Sequence, residues 1–297
     1  MCIRDRLKPT SPGPFSSPSR TGLLWALEII AWNPVYYERV VFILARMSTV
    51  KIEDNWTNKP TNSLESLFRC WMPQTAALLD RRKDVLSKLT AEYPKIGWDV
   101  AMDQLRGGMR SGGYNARPKW RTDSHGAGEP VTYAESDEMA LHALDLVLAQ
   151  PDNSWEMLAE LAENSQRWPQ EQQAVVWKKV ENWAALAGDM EKAKLKEKLR
   201  RHLHMDGLRK NSSTKICGES AWRAMDYLTP DSLVERHRWL FEGQWLPESM
   251  DEIHDERMDW RERDERTKQA REAAALELYE DGGLQALYEV TLSLIHI

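Results

Sequence analysis

The sequence predicts an all-α fold, in the form of an irregular helical-repeat or α-solenoid-like array. Apolar residues recur at three- and four-residue steps through most of the chain, and Pro, Ser, Thr or Asn separate these segments. No stretch alternates apolar and polar residues as a half-buried strand would. We find no fixed period that would define the type of repeat.

The most hydrophobic stretch, residues 22–48, predicts a helical hairpin at the centre of the core. Leu24 and Leu27 fall at helical spacing, and Trp25 widens the apolar surface around the first helix. Pro34 ends that helix and starts the next, because its ring disfavours helical geometry before it and suits a first turn. We therefore expect Trp25 and Leu27 to be buried. The proline and nearby charges make the stretch too short for a membrane span.

Further helices follow along the chain. Asn62 and Glu65 resemble a capping box that starts a helix at 63–71, and Thr75 is placed to cap the next, at 76–92. Gly282 and Gly283 are predicted to end the last helix. The other predicted helices span 95–106, 133–149, 154–165, 169–187, 189–206, 220–228, 231–242 and 250–281.

The predicted organisation has two helical arrays around a long loop. Residues 7–21, rich in Pro and Ser, read as a linker, and 22–106 as the N-terminal array. Glycine is concentrated in 107–130, which predicts a long loop, and such loops are often functional. The C-terminal array then occupies 131–291.

Both ends of the chain resemble translated sequencing adapters. Residues 1–6 fit a translation of ATG TGT ATA AGA GAC AG, and residues 292–297 fit one of CTG TCT CTT ATA CAC ATC. The two strings are reverse complements and resemble the transposon mosaic end, so we interpret both hexapeptides as artefacts of a metagenomic fragment. Such segments are excluded from fold reasoning.

Charge and cysteine usage exclude some function classes. The net charge of −6 argues against extensive coating of nucleic acid or anionic lipid, although a local basic patch remains compatible with it. Without the adapter residues, Cys70 and Cys217 are the only cysteines. Their separation gives neither a disulfide framework nor a zinc motif and suits a reducing cytoplasm.

A basic run at 192–210 is the first candidate site for nucleic acid. Leu195 and Leu199 form an apolar stripe on the predicted helix, so the cations spread over the remaining face. A phosphate-binding helix has this pattern, and so has an ordinary solvated helix. The candidate contacts to phosphate in this run are Lys194, Lys198 and Arg201.

The second candidate lies in the Gly-rich loop, where cations flank a tryptophan. Trp120 would stack on a base or a ligand ring, while neighbouring cations would meet phosphate. The alternative is a loop pinned to the helices by one buried indole. The candidate residues are Arg117, Lys119, Trp120 and Arg121.

No catalytic or cofactor motif is present. The chain contains no GxxxxGK[ST], GxGxxG, GxSxG or HExxH pattern. His202 and His204 are two residues apart and do not converge on a helix, and His254 lies among acids on a strongly polar segment. We therefore expect no catalytic residue, cofactor or metal in this chain, and a hydrolase with an unrecognised site stays as an alternative.

Several segments together resemble the helical region of very large bacterial proteins that we associate with STAND- or NACHT-type signalling ATPases of anti-phage defence. The resemblance extends from about residue 21 to 290. It implies a cytoplasmic, non-catalytic helical array that contacts the rest of its own larger polypeptide, a protein trigger, or both. The segments are TGLLWALEIIAWNPVYYERVVFILARMS, NWTNKPTNSLESLFRCWMPQTAA, RPKW and REAAALELYEDGGLQAL.

Overall fold

The computed structural model describes residues 20–106, 112–115, 117, 130–207, 219–242 and 260–295. These parts of the chain form twelve helices and no strand, so the predicted all-α class is confirmed. None of these helices is long and apolar enough to cross a membrane. The chain divides into two compact units, residues 1–150 and 151–297, called here the N-terminal unit and the C-terminal unit.

The described part of the N-terminal unit forms six helices. In it, α2 contacts α1, α3 and α4, and α4 contacts α5 and α6. The helix bounds are α1 Thr21–Ala31, α2 Pro34–Ser48, α3 Pro60–Phe68, α4 Leu79–Glu92, α5 Pro94–Leu105 and α6 Tyr133–Ala149. The division falls after α6, whereas the boundary predicted from the sequence lies at the Gly-rich loop before it.

The predicted hairpin at 22–48 forms from α1 and α2, but fewer of its apolar side chains are buried than the sequence predicts. Asn33 caps α2 by accepting a hydrogen bond from the Val35 N–H at 3.0 Å, and Pro34 occupies the first turn. Leu27 is buried, as predicted. Trp25 is 56% exposed, so its predicted burial is wrong. The reason is that α1 packs against α2 and α3 through one face, and Trp25 lies on the other.

Two predicted helix starts are also wrong. α3 begins at Pro60, three residues before the predicted start, because a proline in the first turn is already fixed in helical geometry. Asn62 therefore lies inside the helix, and its amide donates to the Thr57 carbonyl at 2.7 Å. α4 begins at Leu79, and the Thr75 hydroxyl donates to the Ala31 carbonyl at 2.7 Å. Thr75 thus ties this connection to the end of α1.

Six helices are described in the C-terminal unit, and helices that contact each other are often two elements apart in the chain. α7 contacts α8 and α9, α8 contacts α10, and α9 contacts α11, which in turn packs against α12. The helix bounds are α7 Trp155–Ser165, α8 Gln170–Ala184, α9 Asp189–Gly207, α10 Glu219–Tyr227, α11 Leu233–Phe241 and α12 Trp260–Ile295.

α12 carries a break where the sequence predicts a helix end. Gly283 has φ 62° and ψ −152°, values that residues with a side chain rarely adopt. Helical structure resumes after Gly283 and continues to Ile295. The glycine pair therefore interrupts the helix but does not end it. Leu278 before the break and Val290 after it belong to one buried cluster, which packs against Phe241.

Candidate interaction surfaces

The main candidate surface is a cavity of about 710 Å³ in the C-terminal unit, called here the basic groove. Its walls come from α9, α11 and α12, with a contribution from the start of α7. This volume falls in the range of ordinary ligand pockets. The groove contains three of the predicted site residues, Lys194, Lys198 and Arg201.

The amphipathic pattern of α9 places these cations. Leu195 and Leu199 are fully buried, which confirms the predicted apolar stripe as far as residue 199. Lys194, Lys198 and Arg201 follow one another at steps of four and three residues, so they share the exposed face of α9.

The start of α11 is fixed on α9 by a carboxylate. Asp189, the first residue of α9, accepts hydrogen bonds from the backbone N–H groups of Ser232 at 2.8 Å and Asp231 at 3.2 Å. The Ser232 bond is the main reason that the pKa of Asp189 is lowered, with the Asp231 bond adding to the effect. The ionised carboxylate is also favourable beside the positive end of α11. These bonds set the relative position of the two walls.

Most of the α9 cations already have acidic partners. Lys198 lies 3.1 Å from a Glu163 carboxylate oxygen, and Arg201 lies 2.7 Å from one of Glu197. Lys194 is exposed and makes no ion pair with any described residue. Cations that are paired locally gain less from a phosphate, because the existing pair must first be broken.

Arg200 joins α9 to α11 through an aromatic ring. Its guanidinium carbon lies 3.5 Å from the centre of the Trp239 ring, and one guanidinium nitrogen lies 3.1 Å from a Glu197 oxygen. Burial lowers the pKa of Arg200, and Glu197 opposes this effect. A half-buried guanidinium on an indole face is a favourable cation–π arrangement. Arg200 is therefore part of the groove wall rather than a free anion ligand.

Lys196 is less exposed than Lys194 and Lys198. Its ammonium donates a hydrogen bond to the hydroxyl of Thr229, which lies in the connection after α10. Burial lowers the pKa of Lys196 to about 8, and the nearby Arg200 charge adds to this effect. Lys196 therefore holds its proton less tightly than an ordinary lysine, a property that spacing in the sequence does not reveal.

α12 supplies a floor of small residues. This floor is formed by Ala270, Ala273 and Ala274, which follow one another at steps of three and one residues along α12. Beside them, Glu277 lies 2.8 Å from the His237 ring nitrogen of α11. Small side chains let another backbone approach closely, so this wall suits a bulky or helical ligand.

The groove has the opposite charge from the chain as a whole. Seven lysines and arginines and four glutamates line it, which gives a formal charge of +3 with His237 neutral. The whole chain carries −6. The groove therefore concentrates positive potential on an acidic protein.

The Gly-rich loop is fixed to the N-terminal unit over residues 112–115. The Gln74 amide accepts from the Asn115 N–H at 2.6 Å and donates to the Gly113 carbonyl at 3.3 Å. The Trp32 indole N–H donates to the Asn115 carbonyl at 3.0 Å. The loop is thus pinned by an indole from the end of α1, an anchor that sequence reasoning missed. The sequence feature that could have indicated this anchor is a tryptophan at a helix end, because its N–H needs a hydrogen-bond acceptor when it is buried.

The predicted loop site is only partly described. Arg117 is exposed, and its guanidinium carbon lies 4.8 Å from the centre of the Tyr114 ring. Tyr114 in turn packs edge-on against Trp32, with ring centres 5.7 Å apart. Lys119, Trp120 and Arg121 lie outside the described residues. Arg117 therefore stacks on a tyrosine that is itself anchored, and its charge still faces solvent.

A second cavity, of about 470 Å³, contains a carboxyl group with an unusual proton affinity. Glu65 of α3 lies there with Glu92, Lys95 and Asp99. Burial is the main cause that raises the pKa of Glu65 to about 7, and repulsion by Asp103 adds to it. Perturbed carboxyl groups in cavities are candidate functional groups. No pattern in the sequence indicates this site, because its lining comes from α2, α3, α4 and α5 together.

Neither a group of metal ligands among the described residues nor a similarity to known proteins indicates a function. Within the described parts of the chain, no three His, Cys, Asp or Glu side chains are grouped as metal ligands would be. His254 lies outside these parts. We compared the chain with protein-family models, curated proteins and solved structures, and none of them matched. The basic groove is therefore the surface on which a functional proposal depends.

Proposed function

We propose that this chain is a non-catalytic helical scaffold or sensor segment of a larger cytoplasmic bacterial protein, and that it recognises a protein trigger. The observation that carries the proposal is the basic groove, with its alanine floor on α12 and its cations on α9. The alternation of contacts from α7 to α11 supports the array that the resemblance implies, since stacked helical pairs make contacts of this kind.

The partner that fits the groove is an acidic amphipathic helix. Its apolar side would lie on Ala270 and Ala273, where small side chains permit close helix packing. Its carboxylates would face Lys194, the cation on the α9 face for which the described residues offer no partner. Complementary charge of this kind contributes specificity and fast association more than raw affinity.

The alternative is a nucleic-acid-binding module that uses 192–210. Exposed cations in a row on α9 favour it. The ion pairs of Lys198 with Glu163 and of Arg201 with Glu197 argue against it, because they reduce the number of cations available to phosphate. The apolar floor also has no role in contacts to a phosphate backbone. We therefore favour a protein ligand.

Fluorescence anisotropy distinguishes the two ligands. The probes are a labelled designed helix with leucine on one face and glutamate on the other, and a labelled single-stranded oligonucleotide of equal charge. We expect the peptide to bind the intact chain and the oligonucleotide to bind at least tenfold more weakly at low salt. Oligonucleotide binding that is tighter than peptide binding, with a steep loss of affinity as salt rises, would instead support the alternative.

Two substitutions test the groove itself. Lys194→Glu should weaken peptide binding by about fivefold or more, because it reverses a rim charge. Lys51→Glu makes the same change at an exposed lysine of the N-terminal unit and should have no effect. Ala273→Trp fills an exposed position of the floor and should prevent binding while the far-ultraviolet circular dichroism stays unchanged. Peptide binding that is indifferent to Lys194→Glu and Ala273→Trp would refute the proposal.

A further inference from the structure

One charged side chain of the N-terminal unit is buried without a partner. Arg82, on α4, is only 2% exposed. Its Nε and Nη1 atoms are shielded from solvent and make no hydrogen bond. Together these two nitrogens carry three N–H groups, since Nε has one and Nη1 has two. Arginine stays charged in proteins, so the fold encloses a positive charge with unused donors.

Arg20, in the same unit, shows how this fold pairs a buried arginine. It is also fully buried, but its two terminal nitrogens each lie 2.7 Å from an oxygen of Asp54. Its Nε donates to the Asn58 carbonyl at 2.6 Å. Every nitrogen of Arg20 therefore has an acceptor, as buried polar groups normally do. Arg82 departs from this rule within one and the same unit.

Among the described residues, the groups whose charges act on Arg82 are those of Tyr37, Glu135 and Cys70. The Tyr37 hydroxyl of α2 is buried without a hydrogen bond. It is close enough to Arg82 for the positive charge to act on the pKa of the hydroxyl. The carboxylate that acts on Arg82 is that of Glu135, at the start of α6. That carboxylate already accepts from the Thr132 N–H at 2.9 Å in a capping box. Among the described carboxylates, none forms an ion pair with Arg82.

An unpaired buried charge is strongly unfavourable, so an anion at this position would stabilise the fold. A ligand that satisfies several N–H groups and a hydroxyl must carry several acceptor oxygens, as a small oxyanion does. We propose that Arg82 and the Tyr37 hydroxyl form a buried binding site for a small oxyanion such as phosphate. This site is separate from the basic groove, which lies in the other unit, and does not depend on its function.

Thermal unfolding of the full chain tests the site, with inorganic phosphate as the probe in a low-salt buffer. We expect Tm to rise by about 3 °C or more and then to saturate, because a ligand that binds only the folded state stabilises it by mass action. Sodium chloride and sodium acetate at equal ionic strength measure the general salt effect and the response to a carboxylate. Equilibrium dialysis with radiolabelled phosphate should give about one bound phosphate per chain.

Arg82→Met is the central variant, and Arg20→Met is its matched control. Without phosphate, Arg82→Met should unfold at the same temperature as the parent chain or higher, because it removes an unpaired buried charge. Arg20→Met should unfold at a lower temperature, because it leaves Asp54 without its partner. With phosphate, Arg82→Met should lose the saturable rise, whereas Arg20→Met should keep it.

Tyr37→Phe gives a second test that leaves the core intact. It removes only the hydroxyl, so we expect a folded protein whose half-saturating phosphate concentration is raised severalfold. Two results would overturn the proposal. One is that Arg82→Met lowers Tm in phosphate-free buffer as much as Arg20→Met does, which would mean that the chain already neutralises Arg82. The other is an equal phosphate response in the parent chain and in Arg82→Met.

Discussion

Trp25 and Leu27 are two residues apart on α1, and only Leu27 belongs to the core. Both are large and apolar, so composition does not distinguish them. The faces that α2 and α3 cover do distinguish them, because a helix that packs on one side exposes the residues on the other. The large apolar side chains that α1 exposes are Trp25, Ile29 and Ile30.

Alanine substitutions should separate the two residues. Leu27→Ala should lower the free energy of unfolding by about 2–5 kcal/mol, because it leaves a cavity in the core. Trp25→Ala should change it by less than about 0.5 kcal/mol, as surface substitutions usually do. Urea unfolding followed by circular dichroism measures both. A large loss of stability for Trp25→Ala would mean that its ring packs against the protein in solution.

Glu65 should make the stability of the fold depend on pH. Its folded-state pKa of about 7 lies above the ordinary 4.5, because burial disfavours the charged form and Asp103 repels it. Between these two values the unfolded chain releases a proton that the folded chain retains. The contribution of Glu65 is therefore most favourable below pH about 4.5 and is lost as pH rises towards 7.

Glu65→Gln tests this dependence. At pH 8 the variant should be more stable than the parent chain by roughly 1–3 kcal/mol, and at pH 4.5 the two should be similar. Glu53→Gln, at an exposed position, is the control and should leave the pH profile unchanged. The interpretation fails if the difference between Glu65→Gln and the parent chain is the same at both pH values.

At the scale of the element, predicted helix bounds that depend on local signals are confirmed. Predicted bounds that depend on contacts with other parts of the chain are wrong. The predicted helix at 133–149 matches α6 at both ends. Its start is set locally, because the reciprocal hydrogen bonds of Thr132 and Glu135 form a capping box. The starts of α3 and α4 were misplaced because Asn62 and Thr75 bond to residues outside their helices. A capping residue and a tertiary anchor have the same amino-acid types.

The crossing of α4 and α5 depends on one glycine. A Cβ at Gly97 would lie 2.4 Å from the Thr90 Cα and 2.9 Å from its backbone nitrogen. Gly97→Ala should therefore push the two helices apart and cost about 1–3 kcal/mol or more. Gly22→Ala, in α1, meets nothing within 4 Å and should be neutral or stabilise by up to about 1 kcal/mol. Chemical unfolding curves measure both, and equal effects of the two would contradict this account.

The candidate site shows the same division between local and tertiary information. Periodicity predicted that Leu195 and Leu199 are buried and that cations occupy the other faces of α9. It could not predict that Lys198 pairs with Glu163 of α7 or that Arg200 stacks on Trp239 of α11. These partners lie 35 and 39 positions away in the sequence. Their choice depends on how separate helices pack.

At the scale of the whole molecule, each of the two units has its own buried residues. The N-terminal unit buries Leu44, Leu86 and Trp98, and the C-terminal unit buries Leu161, Val180 and Leu199. A unit with its own core can in general fold alone. The Gly-rich loop lies within the first unit, since α6 follows it and packs on α4 and α5.

Fragments 1–150 and 151–297 should therefore each fold. We expect helical far-ultraviolet circular dichroism from both fragments, and a cooperative thermal transition from each. The intact chain, which contains both units, is the reference for helix content. A fragment that is helical but unfolds without a cooperative transition would show that its core needs the other unit. Substantial sheet in the spectrum of the intact chain would contradict the fold itself.

The sequence by itself determined the all-α class, most helix positions and the buried stripe of α9, because periodicity, caps and prolines act over a few residues. The tertiary structure decided the properties that depend on residues far apart in the chain. It exposed Trp25, paired most of the α9 cations, raised the proton affinity of Glu65 and enclosed Arg82 without an acceptor. Burial and charge pairing are set by which helices meet, and no local pattern encodes that choice.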